Sequence, residues 1–195
     1  MLPAQPSQRH YTVEDYFCIE SSADIRHEFY QGAIFAMAGA SRNHNRIAGN
    51  VFAALRAALR STPCEAFALD MRLWTPSGLY TYPDVMVICG PIQLTDDRLE
   101  TVTNPTVLVE VLSDSTRDYD QHEKFTLYRS IPTFQEYVLI EQASVQIEHW
   151  IRSAEDTWTS RHYTSLQESL SLTTLACQIP LAEIYARVEF PAGTS

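Results

Sequence analysis

Two carboxylic acids interrupt the most apolar segments of the chain. Asp84 opens the segment YPDVMVIC, and Glu110 lies within PTVLVEVLS, where alternation places it on the face of Leu108 and Leu112. An ionised carboxylate buried without a partner costs several kcal/mol, so each acid must be exposed, protonated, paired or bound to a cation. Taken singly, Asp84 fits a turn after Pro83, and Glu110 fits a pair with an arginine. If the two acids converge from successive strands, their oxygen atoms suit a hard cation such as Mg²⁺.

The chain has one lysine, Lys124, because 13 of its 14 basic residues are arginines. Asp120 and Tyr128 lie four residues to either side of it, so in a helix the three side chains share a face. Arg117 and Gln121 fall within about 60° of Lys124 on the same helical wheel. This polar face is predicted either to turn toward the acids or to carry a plain surface pair between Asp120 and Lys124.

A long amphipathic helix is predicted over residues 42–61, capped by Ser41 and closed by Pro63. Its arginines lie opposite the apolar face, within about 80° of one another. The pattern fits a solvated face, and it also fits a track for phosphate groups. The arginines of this stripe are Arg42, Arg46, Arg56 and Arg60.

The other predicted elements alternate between helices and strands. Gln31-Gly32 predicts a hairpin turn, with Glu28 in the first strand of the hairpin. The order predicts an α/β fold with a mixed central β-sheet flanked by helices. Helices are expected at 12–20, 115–130 and 179–186, and strands at 27–37 (the hairpin), 66–74, 82–89, 105–112, 135–141, 145–151 and 157–164.

Composition narrows the classes of function. A chain of 195 residues fits a single domain, here 1–195 with a core of about 11–186. No apolar run approaches the roughly 20 residues of a membrane span, and no secretory signal opens the chain, so a cytoplasmic protein without a membrane partner is expected. The four cysteines form no CxxC pair and are expected to be buried and reduced. A net charge of −10 opposes long-range attraction of nucleic acid.

Familiar catalytic loops are missing from the sequence. It contains no GxGxxG, GxxxxGK[ST], HExxH or GxSxG pattern, which removes support for nucleotide-binding, zincin and serine-hydrolase interpretations. Two arrangements of residues could still act on phosphate groups: a local strip of positive charge, or a group of acids that holds a divalent metal.

The segments YPDVMV, LVEVLSDST and DQHEKFTLY, with Asp84, Glu110 and Lys124 in order, resemble the PD-(D/E)XK nuclease superfamily. More narrowly, the chain resembles a restriction-endonuclease-like family of small uncharacterised proteins, over about residues 11–184. HEFYQG and SRNHNRIAGNV are similar to the family's N-terminal acid-and-glycine block and its following helix start. One departure is Leu112, two residues after Glu110, where the superfamily usually has lysine. In some families of the superfamily this lysine lies in a neighbouring helix instead, and Lys124 resembles a lysine in that position.

The resemblance implies a restriction-endonuclease-like fold and a metal-dependent endonuclease that hydrolyses phosphodiester bonds, with DNA as the expected partner. Asp84, Glu110 and the carbonyl of Val111 would hold Mg²⁺ or Mn²⁺, and Lys124 would be catalytic. Glu28 would bind a second metal or a metal-bound water, and His44 would touch phosphate or transfer a proton. A homodimer is implied as well. Expected substrate contacts are Arg42, Arg46, Arg117, Gln121 and Tyr128.

Two other functions stay open at this point. In the first, the chain is a catalytically silent module with a nuclease fold that serves interaction or regulation. The lack of an overall positive charge favours this alternative, whereas the presence of Asp84, Glu110 and Lys124 opposes it. Alternatively, it would be a metal-dependent phosphoesterase acting on a smaller substrate.

Overall fold

The computed structural model describes residues 10–37, 39–68, 70–95, 101–154 and 157–190. Its helices are α1 (Val13–Glu20), α2 (Arg42–Ala58), α3 (Phe125–Tyr128) and α4 (Leu181–Ile184), and a π-helical turn, Tyr119–Lys124, leads directly into α3. The strands are β1 (His27–Tyr30), β2 (Ala33–Ala36), β3 (Cys64–Ala68), β4 (Arg72–Trp74), β5 (Tyr80–Thr81), β6 (Val85–Cys89), β7 (Thr101–Val102), β8 (Val107–Leu112), β9 (Glu136–Glu141), β10 (Ile147–Arg152), β11 (Trp158–Tyr163), β12 (Ser169–Leu172) and β13 (Cys177–Pro180).

The predicted mixed α/β fold is confirmed, with helices flanking mixed sheets. The larger sheet has six strands in the order β11-β10-β9-β8-β6-β3, and only its β8–β9 pair is parallel. A second sheet, which was not predicted, has the order β2-β1-β5-β4-β7, and β12 pairs with β13 in a separate hairpin. No helix in the described part of the chain combines the length and apolar character needed to cross a membrane.

Strand β8 runs through the centre of the six-stranded sheet and is buried along its whole length. The two faces of β8 pack into two different parts of the hydrophobic core, as the alternation predicted. Leu108 and Leu112 face the side on which α3 packs, so Glu110 between them faces the same side. The other face packs against α2 and consists of the valines Val107, Val109 and Val111.

Several element boundaries differ from the prediction. The single strand expected over 66–74 is two strands in different sheets, because β3 pairs with β6 whereas β4 pairs with β5 and β7. The helix expected over 115–130 consists of the π-helical turn and α3. The hairpin of β12 and β13 was not predicted, although Leu170 and Leu172 alternate with serines in the manner of a half-buried strand.

The cysteine prediction was wrong for three of the four residues. Cys64 and Cys89 lie opposite each other on the antiparallel pair β3–β6 and form a disulfide bond, because that register brings their side chains together. Cys18 is free but exposed, whereas Cys177 is free and half-buried.

The hairpin between β1 and β2 depends on glycine at position 32. Gly32 has φ +80°, and a Cβ there would lie 2.3 Å from the exposed His10 ring, which can move aside. We therefore expect Gly32→Ala to lower the free energy of unfolding by about 1–2 kcal/mol, because of the left-handed backbone. Gly49→Ala is the matched control: Gly49 lies in α2 with open space around it, and alanine should add about 0.5–1 kcal/mol. Urea unfolding of both variants measures the difference, and equal stabilities would contradict this interpretation.

Candidate active site

The ends of β6 and β8 bring two acids together. Strand pairing sets Val85 opposite Val109, so Asp84 lies beside Glu110. The backbone N–H of Asp84 points at Oε2 of Glu110 at 3.4 Å, and the N–H of Val111 donates to Oδ2 of Asp84 at 2.8 Å. Because the N–H and C=O of a strand residue point to the same side, the Val111 carbonyl also faces Asp84.

Lys124 reaches this pair of strands from the π-helical turn. Its Nζ lies 3.0 Å from Oε1 of Glu110, 3.1 Å from Oε1 of Glu28 and 3.4 Å from Oδ1 of Asp120. The side chain of Lys124 is only 5% exposed, so its pair with Asp120 is not a surface pair. The partner of Glu110 is therefore lysine rather than an arginine. The ammonium group ties β1 of the second sheet to β8 of the first.

Three carboxyl groups lie within 3.4 Å of one ammonium group, with Asp84 beside Glu110, and this excess of acids affects their protonation. Burial raises the pKa of Glu110 to about 8; Lys124 opposes that shift, while Asp120 and Asp84 add to it. Burial also raises the pKa of Asp120, again against Lys124. Burial alone would lower the pKa of Lys124, but Glu110 and Glu28 raise it well above its ordinary value. These shifts favour the charged form of Lys124 and the neutral form of Glu110.

His44 lies at the open side of the cluster, in the first turn of α2. Ser41 caps this helix by accepting a hydrogen bond from the His44 backbone N–H, which fixes the start of α2 beside the acids. Nε2 of His44 lies 3.2 Å from Oδ2 of Asp84, and the two side chains are 15% and 19% exposed. Burial would lower the pKa of His44, but the hydrogen bond and charge of Asp84 raise it above its ordinary value.

Two of the three arginines expected to contact substrate have acidic partners. Arg46 pairs with the exposed Glu189 at 3.1 Å, whereas Arg117 pairs with Glu141 and with Asp114. Arg42 is exposed at the first position of α2. Farther along α2, Arg56 pairs with Glu65, so the predicted stripe is partly neutralised.

The structure corrects the expectation for Tyr128. Tyr128 is fully buried, and its hydroxyl donates to Oε1 of Glu110 at 2.7 Å. Tyr128 therefore holds the Glu110 carboxylate from within the core and is not placed to contact substrate. Gln121 is half-buried and lines a surface cavity of about 560 Å³ with Phe125 and Trp150.

Three residues of the cluster were not among the predicted site residues. Asp120 is buried beside Lys124, and its four-residue spacing from Lys124 was the available signal. Thr81 donates to Oε1 of Glu28 at 2.5 Å, and the centre of the Tyr119 ring lies 5.9 Å from Nζ of Lys124. Nothing in the local sequence indicated these two contacts, because the first depends on the pairing of β1 with β5 and the second on the π-helical turn.

The donor atoms at Asp84 and Glu110 fit a divalent cation. Within the described ranges, no group of three or more His, Cys, Asp or Glu side chains is arranged to hold a metal. Mg²⁺, however, usually takes one or two carboxylates and completes its shell with water. Two adjacent carboxylates and the nearby Val111 carbonyl supply such a set of hard oxygen donors.

Comparisons with known proteins identify the family of the chain. The family model Uma2, described as "Putative restriction endonuclease", matches residues 13–182. Two proteins of Synechocystis sp. are similar to this chain: uncharacterized protein sll1609 is 42% identical over 148 residues, and uncharacterized protein slr1290 is 32% identical over 180 residues. These alignments cover 75% and 91% of this chain and 84% and 92% of the relatives.

A solved structure shares the fold. It is the crystal structure of a putative nuclease belonging to DUF820 from Anabaena variabilis, with a TM-score of 0.71 and 13% sequence identity. The match covers 88% of this chain and 96% of that one. The family match spans most of the chain, and both Synechocystis relatives exceed 30% identity. The chain belongs to the Uma2 family of restriction-endonuclease-like proteins.

Proposed function

We propose that this chain is a metal-dependent endonuclease that hydrolyses phosphodiester bonds in DNA. The observation that carries the proposal is the convergence of Asp84, Glu110 and Lys124, from β6, β8 and the π-helical turn, at one partly open place. Family membership supports a nuclease in general terms. Metal dependence rests on the donor atoms of the site, and DNA as the substrate rests on the resemblance to restriction-endonuclease-like proteins.

Asp84, Glu110 and the carbonyl of Val111 are the residues that would hold Mg²⁺ or Mn²⁺. When bound there, such an ion polarises the phosphodiester and lowers the pKa of a coordinated water. Lys124 remains protonated and donates hydrogen bonds where negative charge develops on the phosphate, an effect worth a few kcal/mol in comparable sites. Glu28 and Glu110 both contact the ammonium group and together fix its position.

His44 is the proton donor in this proposal. It lies at the open side of the cluster, and the raised pKa favours its protonated form near neutral pH. It can therefore protonate the leaving alkoxide or hydrogen-bond to a phosphate oxygen. Around the opening, Arg42, Arg46 and Arg117 would contact the DNA backbone, the last two by exchanging a carboxylate partner for phosphate.

Plasmid cleavage tests the proposed function. We expect cleavage with Mg²⁺ or Mn²⁺ that stops when EDTA is added. Asp84→Asn should weaken Mn²⁺ binding, measured by calorimetry, by about a hundredfold, because the amide lacks the charge of the carboxylate. Asp118→Asn is the matched control, since Asp118 is an exposed acid directly before the π-helical turn.

The same assays separate the alternatives. Cleavage that survives both EDTA and Asp84→Asn would reject the proposed site. Hydrolysis of a small phosphodiester without plasmid cleavage would favour a phosphoesterase. If no phosphate ester is cleaved under any metal condition, a silent interaction module is the better description.

We also propose a homodimer in the cytoplasm. The support for a dimer is β11, an edge strand of the six-stranded sheet whose residues 159–162 are exposed and offer backbone groups to a second copy. Light scattering should give twice the chain mass of 22.1 kDa, and a monomer mass would reject the dimer. Thiol labelling of protein taken directly from cells tests the location: a reducing cytoplasm should leave Cys64 and Cys89 as thiols, whereas an intact Cys64–Cys89 disulfide in cells would reject it.

A further inference from the structure

The two oxygens of the Glu110 carboxylate have different surroundings. Oε1 accepts a hydrogen bond from the Tyr128 hydroxyl at 2.7 Å and lies 3.0 Å from Nζ of Lys124. Among the described residues, Oε2 contacts only the backbone N–H of Asp84, at 3.4 Å. A carboxylate oxygen offers about two acceptor sites, so Tyr128 and Lys124 together occupy those of Oε1. Oε2 is therefore the oxygen of Glu110 that remains able to bind a cation.

The carboxylate of Asp84 is divided in the same way. Its Oδ2 accepts from the Val111 backbone N–H at 2.8 Å and lies 3.2 Å from Nε2 of His44, whereas no described residue hydrogen-bonds to Oδ1. Each acid thus has one oxygen that the protein holds and one that can bind a ligand. Together with the Val111 carbonyl, the two acids offer three single oxygen donors. Such a set leaves room for several coordinated waters, as Mg²⁺ prefers.

Tyr128 is the donor that serves Oε1 of Glu110 alone. Lys124 contacts three different carboxylates, whereas a hydroxyl has one proton to donate, and that of Tyr128 is directed at Oε1. Tyr128 has no exposed surface, and its ring packs against those of Phe134 and Tyr137, with ring centres 5.9 and 5.6 Å away. Because close packing leaves the ring no space to turn away, the hydroxyl is held at Oε1.

We propose that Tyr128 is a positioning residue that makes Glu110 bind a cation through Oε2 alone, and that it thereby selects Mg²⁺ over Ca²⁺. The inference rests on the proposed function for the presence of a cation and adds which cation the site accepts. Mg²⁺ requires octahedral geometry and keeps several waters, whereas Ca²⁺ takes roughly six to eight oxygens, often two from one carboxylate. A Glu110 that cannot offer Oε1 therefore disfavours Ca²⁺. Tyr128 itself touches neither cation nor substrate.

Tyr128→Phe removes the hydroxyl and keeps the ring, and calorimetry measures its dissociation constants for both cations. We expect the ratio of the Ca²⁺ constant to the Mg²⁺ constant to fall by about tenfold, the equivalent of one hydrogen bond. A purely structural role would weaken both cations alike, so an unchanged ratio would overturn the proposal. Tyr185→Phe is the matched control and should leave the ratio unchanged. Tyr185 is a buried tyrosine whose hydroxyl donates to the backbone carbonyl of Gln146, outside the cluster.

Crystals soaked in Ca²⁺ give a second test, whose first result needs only the wild-type protein. In the wild type, Oε2 of Glu110 alone should lie at the Ca²⁺–oxygen distance of about 2.3–2.6 Å. In Tyr128→Phe, both oxygens should lie at that distance, because Oε1 has regained an acceptor site. Two bound Glu110 oxygens in the wild type would overturn the proposal even if the variant fails to fold.

The cation measurements and the cleavage assay can fail separately. If the ratio shifts as expected but no DNA is cleaved, the proposed function fails and the role of Tyr128 holds. If DNA is cleaved but the ratio is unchanged, the proposed function holds and the role of Tyr128 fails. A wild-type protein that binds neither cation would overturn both.

Discussion

Replacing Lys124 by methionine is expected to lower the rate of plasmid cleavage by about a thousandfold. Removing one donor that stabilises developing charge in an enzyme site typically has this effect. Methionine keeps most of the side-chain volume, so the experiment removes the charge with little change in packing. The measurement is single-turnover cleavage with saturating Mn²⁺. Arg129→Met is the matched control, because Arg129 is an exposed cation directly after α3.

The same substitution should also destabilise the protein. It leaves Glu28, Glu110 and Asp120 without their shared partner, and unpaired buried polar groups cost about 1–3 kcal/mol. Thermal unfolding must therefore accompany the assay, to establish that the variant is folded at the assay temperature. Cleavage at the wild-type rate by a folded variant would refute a catalytic role for Lys124.

The second large effect lies outside the site, at Glu136 in β9. Its Oε2 lies 2.6 Å from Nε2 of His149, and both side chains have no exposed surface. Its other oxygen accepts hydrogen bonds from Thr173 and from the backbone of Thr174. Removing one partner of a buried, hydrogen-bonded pair costs about 3–5 kcal/mol, so we expect that loss for Glu136→Ala. Glu136→Gln keeps most of the shape and should lose clearly less.

The loss at Glu136 should depend on pH. Burial alone would raise the pKa of Glu136, but the hydrogen bonds from His149 and Thr174 lower it below its ordinary value. A lowered pKa in the folded state gives stability that is present above the unfolded value near 4.5 and disappears as the pH falls through the folded pKa. The difference between wild type and Glu136→Ala should therefore be largest near pH 7 and shrink below pH 4.5, as measured by urea unfolding. A difference that stays constant with pH would contradict this ionic contribution.

Local patterns in the sequence were sufficient for the main elements. The apolar spacing of α2 and the alternation in β8 depend on neighbouring residues only, so this helix and this strand could both be predicted from the sequence. The same alternation drew attention to Glu110, because a charged residue in a fully buried strand needs an explanation. The uniqueness of Lys124 and its spacing from Asp120 and Tyr128 indicated the face that enters the cluster.

Other features depend on long-range contacts that no local pattern contains. Strands β5 and β7 have two residues each, and their pairing is decided by the neighbouring strands. The disulfide required the register of β3 against β6, which cysteine spacing does not give. The π-helical turn shifts Tyr119 to the side of Lys124, whereas the predicted α-helical period placed it elsewhere. The contact between Tyr119 and Lys124 could therefore not be predicted from the sequence.

The central claim is that Asp84 and Glu110 hold a divalent cation beside Lys124. Crystals soaked in Mn²⁺ and measured for anomalous scattering test it most directly. We expect one strong peak between the two carboxylates, on the side of the Val111 carbonyl, and no such peak in Asp84→Asn crystals. Carboxylates that remain bound only to Lys124 and His44 at saturating Mn²⁺, with no peak between them, would contradict it.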